Sequence, residues 1–366
     1  MTGKGRRARL SEQVAQAGLD WLLVAEPHDL RWLTGFTGTS GIAACPAAPA
    51  EPGLFVTDFR YVEQAADQLV GDWEVVRYTK PELFGAGLVE AAGDRLSGRV
   101  GFDPRQVTVS QLGSLAAAMG DGAQLVEAER VVERLREVKD AAEVERIAEA
   151  ARLADETLAG VLEAGLGGRT EKDVATAIEV RALELGAEGL SFPPIVAHGA
   201  HGALPHAEPR DVEIGGGSLV TIDWGVRVGG YCSDCTRTYA VGEVGEQEVR
   251  AYEAVNRARA AGLAALAPGA APREVDAHAR AVIEEAGFGE QFGHGLGHGV
   301  GLDVHEEPRL SPRGSEDPLE AGMAVTVEPG IYVPGQFGVR IEDLAVVQDG
   351  GARILTSLDR ELVSVD

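Results

Sequence analysis

The sequence predicts two domains in succession, an α/β layer domain over residues 1–129 and an α+β domain over residues 130–366. Three observations carry this. At 366 residues the chain is too long for a single hydrophobic core. Up to Glu129, apolar strand-like runs alternate with helical ones, the pattern of helices layered on a mixed sheet. Beyond Glu129, helices fall between groups of antiparallel strands and not after each strand, which is the α+β arrangement.

The elements follow in order. Residues 4–18 form an amphipathic helix stopped by Gly18, and LDWLLVAE is a buried strand. LRWLTGFTG and GIAAC come next, with a Pro/Ala loop in CPAAPAEPG. GLFVTDFRYVEQAADQL reads as a strand turning into a helix, and WEVVRYT as a strand. PELFGAGLVEAAGDRL reads as one helix from Pro81 to Leu96. RVGFDP is a strand, VSQLGSLAAAMG a helix and QLVEAE a strand. From Arg130 to Gly165 the pattern is helical, free of proline and rich in i,i+4 charge pairs. A helical linker over about 130–142 leads there into the first long helix of the second domain. Another helix spans Glu171–Leu185, followed by the irregular SFPPIVAHGAHGALPHAEP. EQEVRAYEAVNRARAAGLAAL and PREVDAHARAVIEEAG are the last two helices.

Composition excludes several functions. Lys+Arg number 33 against 58 Asp+Glu, a net charge of -25, which disfavours nucleic acid and anionic membrane as partners. No apolar run approaches the roughly 20 residues of a membrane span. MTGKGRRARL is basic but leads into no apolar segment, so no secretory signal is expected and the cytoplasm is the expected compartment. Three cysteines, Cys45, Cys232 and Cys235, make no disulfide framework. Cys232 and Cys235 spell C-x-x-C, but residues three apart on a strand point to opposite faces, and no second pair completes a zinc site.

The chemistry concentrates between Thr221 and Asp343. Asp223 lies in LVTIDWG, Asp234 in GGYCSDCTRTYAV, His298 in FGHGLGHGVGLDVHE, Glu328 in MAVTVEPGIYV and Glu342 in FGVRIEDLAVV. Carboxylates at the ends of apolar strands are costly to bury unless paired or bound to a metal. Five such O and N donors, with carboxylates shared between ions, are what a two-metal hydrolytic site requires. Gly229-Gly230 is a strong two-residue hairpin turn. With that turn Val228 faces Tyr231 and Asp223 faces Thr236, so Asp223 and Asp234 are diagonal neighbours on one face, roughly 7–8 Å apart at Cβ. A second hairpin turning around Pro334-Gly335-Gln336-Phe337-Gly338 brings Glu328 and Glu342 together, and a one-residue slip would separate either pair. Six of the eight histidines lie in two glycine-rich stretches; His28 and His278 fall outside them and read as structural. His294 and His298 are four apart among glycines, and spacing alone does not say which is a ligand.

The blocks ALPHAEP, DWGVRVGGYCSDCTRTYAVG, GHGLGHGVGLDVHEEP, EPGIYVPG and VRIEDLAVV, in this order, resemble the "pita-bread" metallopeptidases, which include methionine aminopeptidase, aminopeptidase P and prolidase. LRWLTGFTGTSG and TDFRYVEQAADQ resemble the creatinase/prolidase-type N-terminal domain, so the likeness runs over nearly the whole chain. It implies a creatinase/prolidase-like α/β domain followed by an α+β pita-bread catalytic domain. By this resemblance Asp223 would chelate one metal ion, Asp234 and Glu342 would bridge, His298 would bind the other ion, and Glu328 would bind a metal ion. Glu328 would also carry protons. His206 of ALPHAEP and His305 of DVHEEP would face the scissile bond. Arg340 of VRIED would stand behind a carboxylate at the substrate site and orient it. HGAHGALPH departs from the family pattern at His198 and His201, which are expected at the pocket rim.

The implied activity is dinuclear metal-dependent hydrolysis of Xaa-Pro peptide bonds, with dipeptides preferred and aminopeptidase P action on longer peptides as the alternative. A creatinase-like metal-free hydrolase or a non-catalytic binding module fits less well, since all five ligands are present. Carboxylate-rich ligation suits Mn, and also Co or Zn. The partner would be a small peptide with proline second, and the resemblance implies a homodimer. A dipeptidase must bind the free carboxylate of its proline, and arginine does so through a two-pronged fork. Arg309, just after His305 in HEEPR, is the nearest substrate-binding candidate, and Arg60 in TDFRY is the second.

Overall fold

The computed structural model describes residues 3–80 and 82–366. The chain divides into two compact units after Arg136. The sequence places that boundary near Glu129; it falls later because the helix Val131–Glu137 buries Val132 and Leu135, and because buried Arg136 bonds buried Asp29 at 2.6 Å.

The first unit has helices α1 (Gly3–Gln16), α2 (Pro27–Thr34), α3 (Val62–Gln68), α4 (Leu88–Ala92), α5 (Val109–Met119) and α6 (Val131–Glu137). Its strands are β1 (Trp21–Val24), β2 (Ile42–Pro46), β3 (Gly53–Thr57), β4 (Trp73–Arg77), β5 (Gly98–Phe102) and β6 (Ala123–Glu127). The sheet order is β4-β3-β2-β1-β5-β6, antiparallel at β1/β2 and β2/β3 and parallel elsewhere, the mixed sheet expected. Alternate residues Trp21, Leu23, Ile42, Ala44, Leu54 and Val56 share a core with Leu88 and Leu115 of α4 and α5. The helix expected from Pro81 to Leu96 starts outside the described residues and is regular only over α4. Phe84 and Gly85 leave helical geometry, and Gly85, at φ 147°, lies against Ser114. The glycines of LFGAG thus permit close packing against α5 at the expense of helix continuity.

The second unit opens with α7 (Ala141–Leu162), whose N-cap Asp140 forms a reciprocal box with Glu143, and α8 (Glu171–Glu184), capped likewise by Thr170 and Asp173. The strands β7 (Gly189–Leu190), β8 (Ile195–His198), β9 (Ser218–Trp224), β10 (Val226–Val228), β11 (Tyr231–Cys232) and β12 (Cys235–Val241) follow. Then come α9 (Glu246–Ala265) and α10 (Pro272–Glu285). The chain ends on β13 (Gly297–Gly299), β14 (Glu306–Leu310), β15 (Ala324–Val327), β16 (Gly330–Val333), β17 (Phe337–Arg340), β18 (Asp343–Gln348) and β19 (Gly351–Ile354).

Strand alternation decides what faces what. On β9, Val220, Ile222 and Trp224 enter the core built with α7 and α8, which leaves Thr221 and Asp223 on the other face. On β15 and β17, Val325, Val327, Phe337 and Val339 enter the core built with α9 and α10, so Thr326 and Arg340 point away from it. Two helix pairs therefore back two groups of strands, and the polar faces are turned towards each other: Thr236 Oγ1 reaches Glu342 at 2.7 Å, and Thr238 Oγ1 reaches the Arg340 carbonyl at 2.9 Å.

Both hairpins form in the expected register. Val228 pairs with Tyr231 and Asp223 with Thr236. Val333 pairs with Phe337 and Gly330 with Arg340, and Val327 pairs with Asp343 in the same register, so Glu328 lies opposite Glu342. Where the hairpins meet the loop after β8, Gly338 backs directly onto the Gly202 carbonyl, with no room for a Cβ.

Gly338→Ala is therefore expected to destabilise the protein by about 1–3 kcal/mol through overpacking. Gly113→Ala, at an open position within α5, is expected to stabilise by about 0.5–1 kcal/mol. Denaturant unfolding of the two variants should shift in opposite directions; a Gly338→Ala protein as stable as the parent would contradict the packing described.

Candidate metal centre

Asp223 ends the polar face of β9, opposite the core residues Val220, Ile222 and Trp224. Its Oδ2 accepts 2.7 Å from the Arg340 guanidinium, while its buried Oδ1 has no hydrogen-bond partner. Glu342 repeats the pattern: Oε2 accepts from Thr236 and buried Oε1 is unpartnered. Each carboxylate is thus anchored through one oxygen and presents the other. Asp223, Asp234 and Glu342 offer oxygens all within 4.8 Å of one another, and so do His298, Glu328 and Glu342 with their ligand atoms. The two triads share Glu342. Asp234 adjoins both, its Oδ2 lying 3.5 Å from His298 Nε2.

The imidazole is oriented from behind. His298 Nδ1 lies 3.0 Å from the Gly299 carbonyl, which only accepts, so Nδ1 carries the hydrogen and Nε2 a lone pair. That lone pair faces Glu328 Oε1 at 3.3 Å and Asp234 Oδ2. Thr326 bonds both the His298 amide and Glu328 Oε1. Burial, reinforced by His305, pushes the His298 pKa down to about 3, so the ring is neutral at physiological pH. Burial and then the neighbouring acids drive Asp234 and Glu342 well above the ordinary carboxylate range. Burial also raises Glu328 to about 7 against the pull of Arg340. Ionising these crowded carboxyl groups together is costly unless a cation intervenes. A divalent ion fits this donor set, and the unpartnered Oδ1 and Oε1 are the atoms it would engage.

Residues 145–349 match the family model of metallopeptidase family M24. The chain belongs to this family. Residues 6–138 match the creatinase/prolidase N-terminal domain. The uncharacterized peptidase YqhT of Bacillus subtilis is 40% identical over 359 residues, 97% of this chain and 98% of that one. An Xaa-Pro dipeptidase from Bacillus anthracis has a similar structure at TM-score 0.92 and 38% identity, covering 99% of both chains. An X-Pro aminopeptidase from Thermotoga maritima is similar at TM-score 0.87 and 32% identity, covering 96% of this chain and 99% of that one. As a family M24 member the chain is a metallopeptidase, with the two-domain architecture expected from sequence.

The remaining residues singled out from sequence fall as follows. His305 is exposed, with its ring 4.3 Å from that of His298. His206 is exposed and close enough to His294 and His305 to act on both electrostatically. Arg309 pairs with His298 across β13 and β14 and is 67% exposed, with Glu307 at 3.7 Å. Arg340, expected to orient a carboxylate at the substrate site, is buried and engaged by Asp223, Thr236, Tyr332 and the Pro205 carbonyl. It positions Asp223 and does not reach outward. Arg60 forms a fork with Asp58 in the first unit. His198 and His201, expected at the rim, both turn to Glu171 instead. His294 stands apart from the metal-ligand triads and bonds the Tyr332 hydroxyl at 3.1 Å. His278 is exposed on α10, and the three cysteines are buried free thiols. The anchoring threonines Thr236 and Thr326 escaped sequence reading; their alternation with apolar residues on the ligand strands was the available signal.

A carboxyl group whose pKa rises on folding contributes stability below its ordinary pKa and loses it as pH climbs through the raised value. For Glu328 that window runs from 4.5 to about 7. Metal-free protein is therefore expected to melt at lower temperature as pH rises from about 5 to 7.5, and a divalent ion should raise Tm more at the upper pH. Thermal melts with and without metal at both pH values check this; an equal metal effect at both would count against the assigned carboxyl groups.

Proposed function

We propose that the chain hydrolyses Xaa-Pro peptide bonds at a dinuclear metal site and prefers Xaa-Pro dipeptides. The observation that carries this is the pair of overlapping donor triads sharing Glu342, each with an unpartnered buried carboxylate oxygen. On this reading Asp223, Asp234 and Glu342 would hold one ion, and His298 with Glu328 and Glu342 would hold the second. The same oxygens argue against a metal-free hydrolase and against a binding module, since neither needs them. Divalent ions would supply Lewis acidity, polarising the scissile carbonyl and making water nucleophilic near neutral pH; Mn suits the oxygen-rich set, as do Co and Zn.

The chain's own residues do the rest. The nitrogen of the scissile bond must gain a proton before proline can leave, because an amide anion is too poor a leaving group. Glu328, a carboxyl group at the edge of the donor set beside His298, is the candidate to deliver that proton. His206 and His305, exposed beside the triads, can donate hydrogen bonds as charge develops on the substrate. Arg309 offers its guanidinium to the carboxylate of a terminal proline. The similarity to the Bacillus anthracis Xaa-Pro dipeptidase supports the dipeptide reading. A second reading, an Xaa-Pro aminopeptidase acting on longer peptides, draws on the equally full-length similarity to the Thermotoga maritima X-Pro aminopeptidase.

With metal-loaded enzyme, kcat/KM for Ala-Pro should exceed that for Ala-Pro-Ala, and Arg309→Ala should raise KM for the dipeptide only. A tripeptide preference would move the protein to the second reading. His206→Ala should lower kcat roughly 10²-fold with metal content retained, whereas Asp234→Ala should lose metal. Loss of metal from the His206 variant with retention in the Asp234 variant would reverse the assignment.

A further inference from the structure

Glu171 begins α8 and its side chain is fully buried, at 0% exposure. A carboxylate there is costly unless every oxygen is satisfied. It is satisfied from both ends of a single loop. From the end of β8 come the His198 amide at 3.0 Å and His198 Nδ1 at 2.8 Å. His201 Nδ1 approaches both oxygens at 3.0 Å. From the far end come the Arg210 amide at 2.9 Å and a fork from Arg210 Nε and Nη2, each at 3.1 Å. An ionised carboxylate only accepts, so both imidazoles donate from Nδ1. Burial alone would raise the Glu171 pKa, but the Arg210 fork and the His198 and Arg210 amides outweigh it and hold it down to about 2. The group is an anion at any pH at which the enzyme would work.

The loop closed in this way carries Pro205 and His206. Its middle touches the metal-ligand hairpin: Arg340, the partner of Asp223, donates to the Pro205 carbonyl at 3.2 Å, and Gly202 backs onto Gly338. The base of the loop is fixed by one buried anion and its crest by the site itself. Between these anchors His206 is exposed, with no hydrogen bond of its own among those described. Its position depends on the backbone that carries it.

We infer that Glu171, through His198, His201 and Arg210, is a positioning residue that closes the loop of residues 198–210 and sets His206 at the substrate. The inference rests on the role proposed for His206 above. His198 and His201 then have a task of their own: they provide the two side-chain donors that reach the carboxylate from the β8 end. Their place in HGAHGALPH thus belongs to loop closure and not to the pocket rim.

The test is a double-mutant cycle on metal-loaded protein. Arg210→Ala removes the partly exposed partner, while Glu171→Gln is the more direct variant and is read alongside it. Each should lower kcat about tenfold or more with KM and metal content little changed, since small misplacements of a reacting group cost rate. In a His206→Ala background the same substitutions should cost almost nothing. Equal losses in both backgrounds, or an Arg210→Ala enzyme with full activity, would overturn the inference. A second readout needs no substrate. In protein with isotope-labelled histidine, the His206 resonance, assigned by its absence from His206→Ala, should shift or broaden in Arg210→Ala while that of His278 stays put. An unmoved His206 signal also overturns the inference. Failure of the parent enzyme to cleave any Xaa-Pro peptide would instead defeat the proposed function, leaving the resonance test of the loop in force.

Discussion

Four carboxylates and an imidazole lone pair converge on one space, and the cation bonded to them, Arg340, reaches only Asp223. This unbalanced charge is the constraint on which the rest of the second unit depends. Like-charged oxygens a few ångströms apart resist being held together, and four of the five donors are fixed from behind by something rigid. Arg340 fixes Asp223, Thr236 fixes Glu342, Thr326 fixes Glu328, and the Gly299 carbonyl fixes His298. The ordering of this polar shell is what lets the site keep its geometry before a metal binds.

The strands supply that rigidity because their other faces are buried. Val220, Ile222 and Trp224 lock β9 against α7 and α8, and Phe337 and Val339 lock β17 against α9 and α10. A slip of one residue would exchange these core residues with Asp223 or Arg340, so the hydrophobic core and the ligand set enforce the same register. Behind the site, Asp343 is held by Arg237, Arg259 and Arg360, and Arg237 also donates to the Glu342 carbonyl. The backbone carrying Glu342 is thereby fixed on both sides.

Much of this was legible in the sequence because it depends on short-range rules. Gly229-Gly230 dictated a two-residue turn, and the turn dictated that Asp223 meets Thr236. The second hairpin followed the same logic at Gly335. What the sequence withheld is what long-range packing decides. The LFGAG stretch looked helical, but close approach to Ser114 broke it. H-x-x-x-H spacing left His294 and His298 equivalent, and only the fold separates a ring against Tyr332 from one against two carboxylates. His198 and His201 looked like pocket residues because their partner, Glu171, lies some distance back in the chain and reads there as an ordinary first-turn acid of a helix.

The central claim is that these carboxylates are gathered to hold two ions. Its most direct test is titration of the chelated protein with Mn by calorimetry, followed by anomalous diffraction from the loaded crystal. Two ions per chain are expected, one among Asp223, Asp234 and Glu342 and one among His298, Glu328 and Glu342, with peptidase activity rising as they fill. A chain that binds no ion at these residues, or that turns over fully with metal content verified near zero, would contradict the account.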